Sequence, residues 1–171
     1  AQFDYVFTDA MTWRNDDGHR MRLWMKDEVI IGEPESFMNM LVDRTVWILE
    51  NEPIDIYVNP TYLPAEIAGR YDELWTEERI DRVITAAVNN DVAIEISAGL
   101  ELPKPNFIKR AKAAGAKFSF GTNNSGNRDL GSLDYCRTMI TECGLTPEDM
   151  FVPKPDGQKA IQRKPLPERK Y

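Results

Sequence analysis

The 171-residue chain has a single histidine, His19, and two cysteines, Cys136 and Cys143. One histidine cannot build a multi-histidine zinc site, and there is no Cys-x-x-Cys pair to replace it, so a metal site would have to be oxygen-rich. The cysteines lie seven positions apart in one expected helix. That separation is roughly 10 Å of helical rise, too far for a mutual disulfide, and both read as reduced thiols. No apolar run is long enough to cross a bilayer, and no signal peptide is visible. Positive charge is scarce too. A formal charge of −7 and a pI near 4.8 argue against nucleic acid or an anionic membrane as partner. These shortages leave a small polar molecule as the expected partner and the cytoplasm as the expected compartment. Because the chain begins at Ala1 and not at methionine, a preceding segment is also expected.

The hydrophobic content of 42% can fill one core in a chain of single-domain length. Four short apolar runs alternate with helical patterns: Phe3 to Ala10, Ile54 to Pro60, Val92 to Ser97 and Lys117 to Asn123. Asp16-Asp17-Gly18 divides two alternating runs and predicts a hairpin. Pro34 opens a long helix with Phe37, Leu41 and Ile48 on one face, and Pro64 to Trp75 is a shorter helical piece. Thr76 caps the next helix, Gly115 ends the one after it, and Ser132 is expected to cap a helix that stops at Gly144. A last short helix opens at Thr146. The alternation implies a parallel sheet or barrel over residues 1–151. From residue 152 to 171 the chain is rich in proline, with six basic residues against two acidic ones. The body is thereby left near roughly −11 by formal charge. This tail is expected to be extended, lying on its own acidic body or on a neighbouring subunit, or else to be solvated.

Side chains alternate between the faces of a strand, so each run can be divided in two. The apolar sets Ile54, Ile56, Val58 and Val92, Ile94, Ile96 are expected to face helices, as are Phe118 and Phe120. Asp55, Tyr57, Asn59, Glu95, Ser97, Ser119, Gly121 and Asn123 then face the other way, joined by Asp9. Asp9, Asn59, Glu95, Ser97 and Asn123 thus converge on the carboxyl end of one sheet face, where α/β proteins place their chemistry. Convergent polar groups are costly to bury and line functional pockets. The competing reading is that these groups satisfy loop backbone and one another, as Asn and Ser do at strand ends. Tyr57, Tyr62 and Trp13 could wall such a pocket, or could be ordinary packing aromatics.

The blocks "FDYVFTDAM", "DIYVNP", "IEIS", "FIKRAKAAGAKFSFGTNNSGNRDLG" and "GLTPEDMF" together resemble the second half of the polymerase and histidinol phosphatase (PHP) family. The resemblance runs from about Phe3 to Phe151. It implies an α/β fold, a TIM-like (β/α)7 barrel related to the amidohydrolases, with about four βα units in this chain and the other strands in an absent amino-terminal segment. The family's ligands are replaced here. Met11 stands at one histidine position, Asn59 at another, and Thr122-Asn123-Asn124-Ser125 replaces a block that carries aspartate and histidine. Glu95 is retained, with Ser97 in place of an asparagine.

The resemblance implies a divergent PHP-like or amidohydrolase-like hydrolase acting on a small phosphorylated, sugar-like or amide substrate. Its usual metal cluster would be weakened or lost. Asp9 and Glu95 are the expected acid and base, with Asn59, Ser97, Asn123, Asn124 and Tyr57 as substrate-binding residues. No cofactor and no metal ligand is assigned within the chain. Zinc, manganese or magnesium would enter only with ligands from a preceding segment, and that segment or a second copy is the expected protein partner. Two alternatives stand beside this reading: a non-catalytic barrel that binds a small molecule as a regulator, and a metal-dependent hydrolase whose main ligands all lie in the absent segment.

Overall fold

The computed structural model describes residues 3–123 and 130–167. In chain order its elements are β1 (Phe7–Thr8), β2 (Thr12–Arg14), β3 (Arg20–Arg22), α1 (Pro34–Asn51), β4 (Ile56–Tyr57), α2 (Tyr71–Leu74), α3 (Glu77–Asn89), β5 (Ala93–Ser97), α4 (Pro105–Ala113), β6 (Phe118–Gly121), α5 (Asp134–Cys143) and α6 (Ala160–Arg163). Strands β1, β4, β5 and β6 form a parallel sheet in that order, and β2 pairs antiparallel with β3 around the Asp16–Gly18 turn. The chain is therefore mixed α/β with a four-stranded parallel sheet. The strands are shorter than the apolar runs, because pairing begins and ends inside each run.

Helices α1 and α3 start where the sequence supplies a cap. The Glu33 side chain accepts from the Ser36 N–H at 2.7 Å with Pro34 in the first turn, and Thr76 caps α3 ahead of Glu77 and Glu78. Helix α5 departs from expectation. Its first residue is Asp134, its cap position is Leu133, and no side chain caps it, so Ser132 does not serve. Gly144 ends that helix at φ +61°, a left-handed turn that glycine enters without strain.

Helix α1 packs on α3, α3 on α4 and α4 on α5, so consecutive helices stand side by side in one layer. Inter-helix ion pairs follow the same order: Arg79 with Glu35, Arg110 with Asp81, and Lys109 with Glu142. Ile94, Ile96, Phe118, Phe107 and Ile108 are fully buried between this layer and the sheet. The other face is different. Tyr5, Phe7, Ile56, Val58 and Ser119 line an open cleft there, and Tyr5 and Phe7 are 46% and 59% exposed.

Strand β4 reverses the expected facing. Tyr57 is buried towards the helices, with its hydroxyl 3.2 Å from Thr45 Oγ1 of α1, while Ile56 and Val58 line the open cleft. Asp55 lies on the helix side with Tyr57, fully buried. Its carboxylate accepts from the Val6 N–H at 3.0 Å and from the Ala160 N–H at 3.2 Å. The run Ile54 to Val58 carries large side chains on both faces, so alternation alone could not say which set meets the helices.

The tail is neither extended throughout nor solvated along its described length. It forms α6 and lies on its own body: Lys154 and Arg163 pair with Asp91, Lys159 donates to Phe3 O, and Lys164 to Leu49 O. Both cysteines are unbridged and buried, and burial pushes the Cys136 thiol up to about 11. Among the described residues, no helix is long and apolar enough to cross a membrane.

Candidate functional site

Three strand ends bring Asp9, Asn59 and Glu95 together. Asp9 follows β1, and its Oδ1 accepts from the Met11 N–H at 2.9 Å. Asn59 follows β4. Its backbone N–H donates to Glu95 Oε2 at 2.8 Å, and its Nδ2 reaches Asp9 Oδ2 at a long 3.5 Å. One asparagine thereby spans two carboxylates, its backbone holding one and its side chain touching the other.

The amide spans them because Asn59 sits at φ +50° immediately before Pro60, in the left-handed region. Asparagine enters that region more readily than any residue but glycine. Asn123 does the same at φ +62°, where the chain leaves β6. Thr61 and Glu101 also have positive φ, at +62° and +52°, so four such residues lie in the loops that follow the strands. Strained backbone of this kind gathers where a site over-determines the chain.

Glu95 occupies the middle of β5 opposite Ser119, and its side chain runs over Gly121, two residues further along β6, where a Cβ would overlap the carboxylate as it stands. Burial raises the Glu95 pKa above the usual carboxyl value. The Asn59 N–H opposes that shift, and nearby Asp9 adds to it. Gly99 makes a second close approach, since a Cβ there would lie 2.6 Å from Thr122 O. Glycine inside or beside a strand signals such an approach. Alternation along β6 puts Gly121 on the cleft side but carries no signal of this close approach.

These groups border a cleft of about 440 Å3 that also takes in Asn123, Thr122 and Phe120. The other expected members are elsewhere. Ser97 is sealed under the following loop, its N–H on Leu102 O at 2.7 Å, and its buried Oγ has no partner among the described residues. Tyr57 points into the helix layer, where burial pushes its phenol pKa up. Tyr62 packs against the core, and Trp13 lies on the hairpin beneath the Arg44 guanidinium. Asn124 is outside the described residues. Met11, at a position where the resemblance places a histidine, is buried in the core.

Among the described residues, no three of His, Cys, Asp or Glu are close enough to share an ion. Two carboxylates and an amide already engaged as a donor offer too little charge and no imidazole. What the arrangement supplies is a pair of carboxyl groups in different environments: Glu95 half-buried with a raised pKa, and Asp9 held by two N–H donors. No protein-family model matches the chain, and neither does any curated protein or solved structure.

Proposed function

We propose that the chain is one arc of a PHP-type, TIM-like (β/α)7 barrel, and that it acts as a hydrolase on a small polar substrate bound at the carboxyl ends of the strands. The observation that carries this reading is the Asp9–Asn59–Glu95 bridge on the sheet face opposite the helices. A closed βα barrel has its interior and its chemistry on that side. Further βα units, from a preceding segment or a second copy, would complete the ring.

In the proposed reaction, Glu95 stays protonated to a higher pH than an ordinary carboxyl group and gives its proton to the leaving group. Asp9, fixed by the Met11 N–H and the Asn59 amide, takes a proton from the attacking water. The elements of water add across the scissile phosphoester or amide bond, and both carboxyl groups return to their starting states by exchange with solvent. Two carboxyl groups whose surroundings push their proton affinities apart can divide such roles. Any zinc, manganese or magnesium would need ligands beyond the described residues, and no step here is routed through one.

A panel of phosphoesters and amides would be tested for turnover with the parent chain, Glu95→Gln and Asp9→Asn. Each variant is expected to lose about 100-fold or more in kcat, the usual worth of a positioned acid or base. Turnover by the parent should fall as pH rises through the Glu95 pKa. Unchanged turnover in the double variant would remove the acid–base reading. The cleft of about 440 Å3 bordered by Asp9, Asn59 and Glu95 also suits a non-catalytic pocket that holds a small polar ligand. That reading predicts a ligand that raises Tm and is recovered unchanged.

A further inference from the structure

The β2–β3 hairpin has an unusual face. In its register Arg14 lies directly opposite Arg20, and Thr12 opposite Arg22. Like charges placed opposite each other destabilise an antiparallel pair, and a two-stranded hairpin of three residue pairs has little stability to spare. Arg22 is neutralised by Glu28, which bonds its guanidinium through both carboxylate oxygens. Arg14 and Arg20 make no ion pair within 4 Å among the described residues, although Arg20 stands close enough to Glu28 to share its charge with Arg22. Arg14 Nη1 donates only to Gly18 O, at 2.8 Å.

A third guanidinium arrives from α1. Arg44 Nη2 donates to Thr12 O at 3.0 Å, and its Cζ lies 5.4 Å from the centre of the Trp13 ring. Thr12, Trp13, Arg14, Arg20 and Arg44 together line a cleft of about 370 Å3. Three arginines and an indole converge on one concavity of a chain whose formal charge is −7. This cleft shares no residue with the one around Asp9 and Glu95.

We propose that the hairpin cleft is a binding site for a small organic oxyanion, a phosphomonoester or carboxylate whose apolar part lies against Trp13. Planar guanidinium groups bind such oxyanions with paired, charge-assisted hydrogen bonds, and the anion relieves the repulsion between Arg14 and Arg20. The apolar wall selects an anion with an attached ring or chain over a bare inorganic ion. The site stands without the hydrolase reading, since none of its residues takes part in the acid–base pair.

Isothermal titration of the whole chain with phenyl phosphate, inorganic phosphate and benzyl alcohol tests this. Phenyl phosphate is expected to bind at a saturable site that survives in the Asp9→Asn, Glu95→Gln double variant, tighter than inorganic phosphate, and to weaken as salt is raised. Benzyl alcohol should give no saturable heat. Arg14→Gln with Arg20→Gln should weaken phenyl phosphate binding by about tenfold or more while leaving the unliganded Tm unchanged or higher. Trp13→Leu should remove the preference for phenyl phosphate and spare inorganic phosphate. The proposal is overturned if neither anion saturates the parent chain, or if the double arginine variant binds as well as the parent. It is equally overturned if benzyl alcohol binds as tightly as phenyl phosphate. A Tm drop in the double variant without a change in binding would make the arginines structural.

Discussion

Asn59 and Glu95 show how one residue can serve backbone and site together. The left-handed turn at Asn59 aims its N–H at the Glu95 carboxylate, yet the same burial that makes Glu95 useful makes it costly. Its folded-state pKa lies above the ordinary 4.5. Below that ordinary value both folded and unfolded chains hold the proton, and Glu95 costs nothing. Between the two pKa values the folded chain holds more protons than the unfolded one, so stability falls as pH rises, and the full penalty persists above the folded pKa. Glu95→Gln should therefore raise Tm at neutral pH while abolishing turnover, by about 1 kcal/mol or some 2–4 °C for a chain of this size. Scanning calorimetry from pH 4 to neutral should show the gap closing as acid is added; a constant gap would mean that Glu95 ionisation is not the cause. Gly121→Ala makes the complementary test. The new methyl group meets the Glu95 carboxylate, and denaturant titration should show a loss of about 1–3 kcal/mol, with Ser119→Ala near neutral as the control.

At the scale of elements, Asp55 ties the amino-terminal strand to the carboxyl-terminal helix. Its buried carboxylate accepts from Val6 and from Ala160, which are far apart in sequence. Asp55→Ala should leave two N–H groups without acceptors, costing about 1–3 kcal/mol for each one that stays buried, and should loosen α6. Limited proteolysis would detect it as faster cleavage within residues 152–167; cleavage at the parent rate would show that the tail is held by its lysine contacts alone. None of this was legible in the sequence. Asp55 sits in a run that is apolar on both faces, so period-two alternation misassigned it together with Tyr57. The longer helices were legible because their start and stop residues and apolar stripes are local signals, as at Pro34, Thr76 and Gly144. The start of α5 was not, because Ser132 resembles a cap but stands one position too early. At the site, Asp9 and Glu95 lie on the cleft face that alternation gave them, whereas Asn59, grouped with Asp55 and Tyr57 by the same alternation, reaches the cleft through its left-handed turn, which the alternation does not encode. The sealing of Ser97 followed from a loop whose path no local pattern encodes.

Among the described residues, the molecule is layered on one side of its sheet only. Consecutive helices cover one face of the sheet, while the other presents Tyr5, Phe7, Ile56 and Val58 around the carboxylate cleft. Sheets in which all strands are parallel are normally covered on both faces, and exposed aromatic patches mark surfaces that associate. Strand β1 leaves one edge of the sheet without a neighbouring strand among the described residues, whereas β6 is bridged at its start by the Phe151 N–H donating to Phe118 O at 2.8 Å; an open edge such as that of β1 is a template for further pairing. The chain of these 171 residues should therefore self-associate as its concentration rises. Phe7→Lys puts a charge on β1, where the side chain is already 59% exposed, so it should hold the chain monomeric with little change in its own Tm. Sedimentation velocity across a concentration series would decide it. A parent chain that stays monomeric throughout, with no binding of a hydrophobic dye to that face, would show that the half-layered sheet is stable uncovered and would remove the support it lends to the barrel.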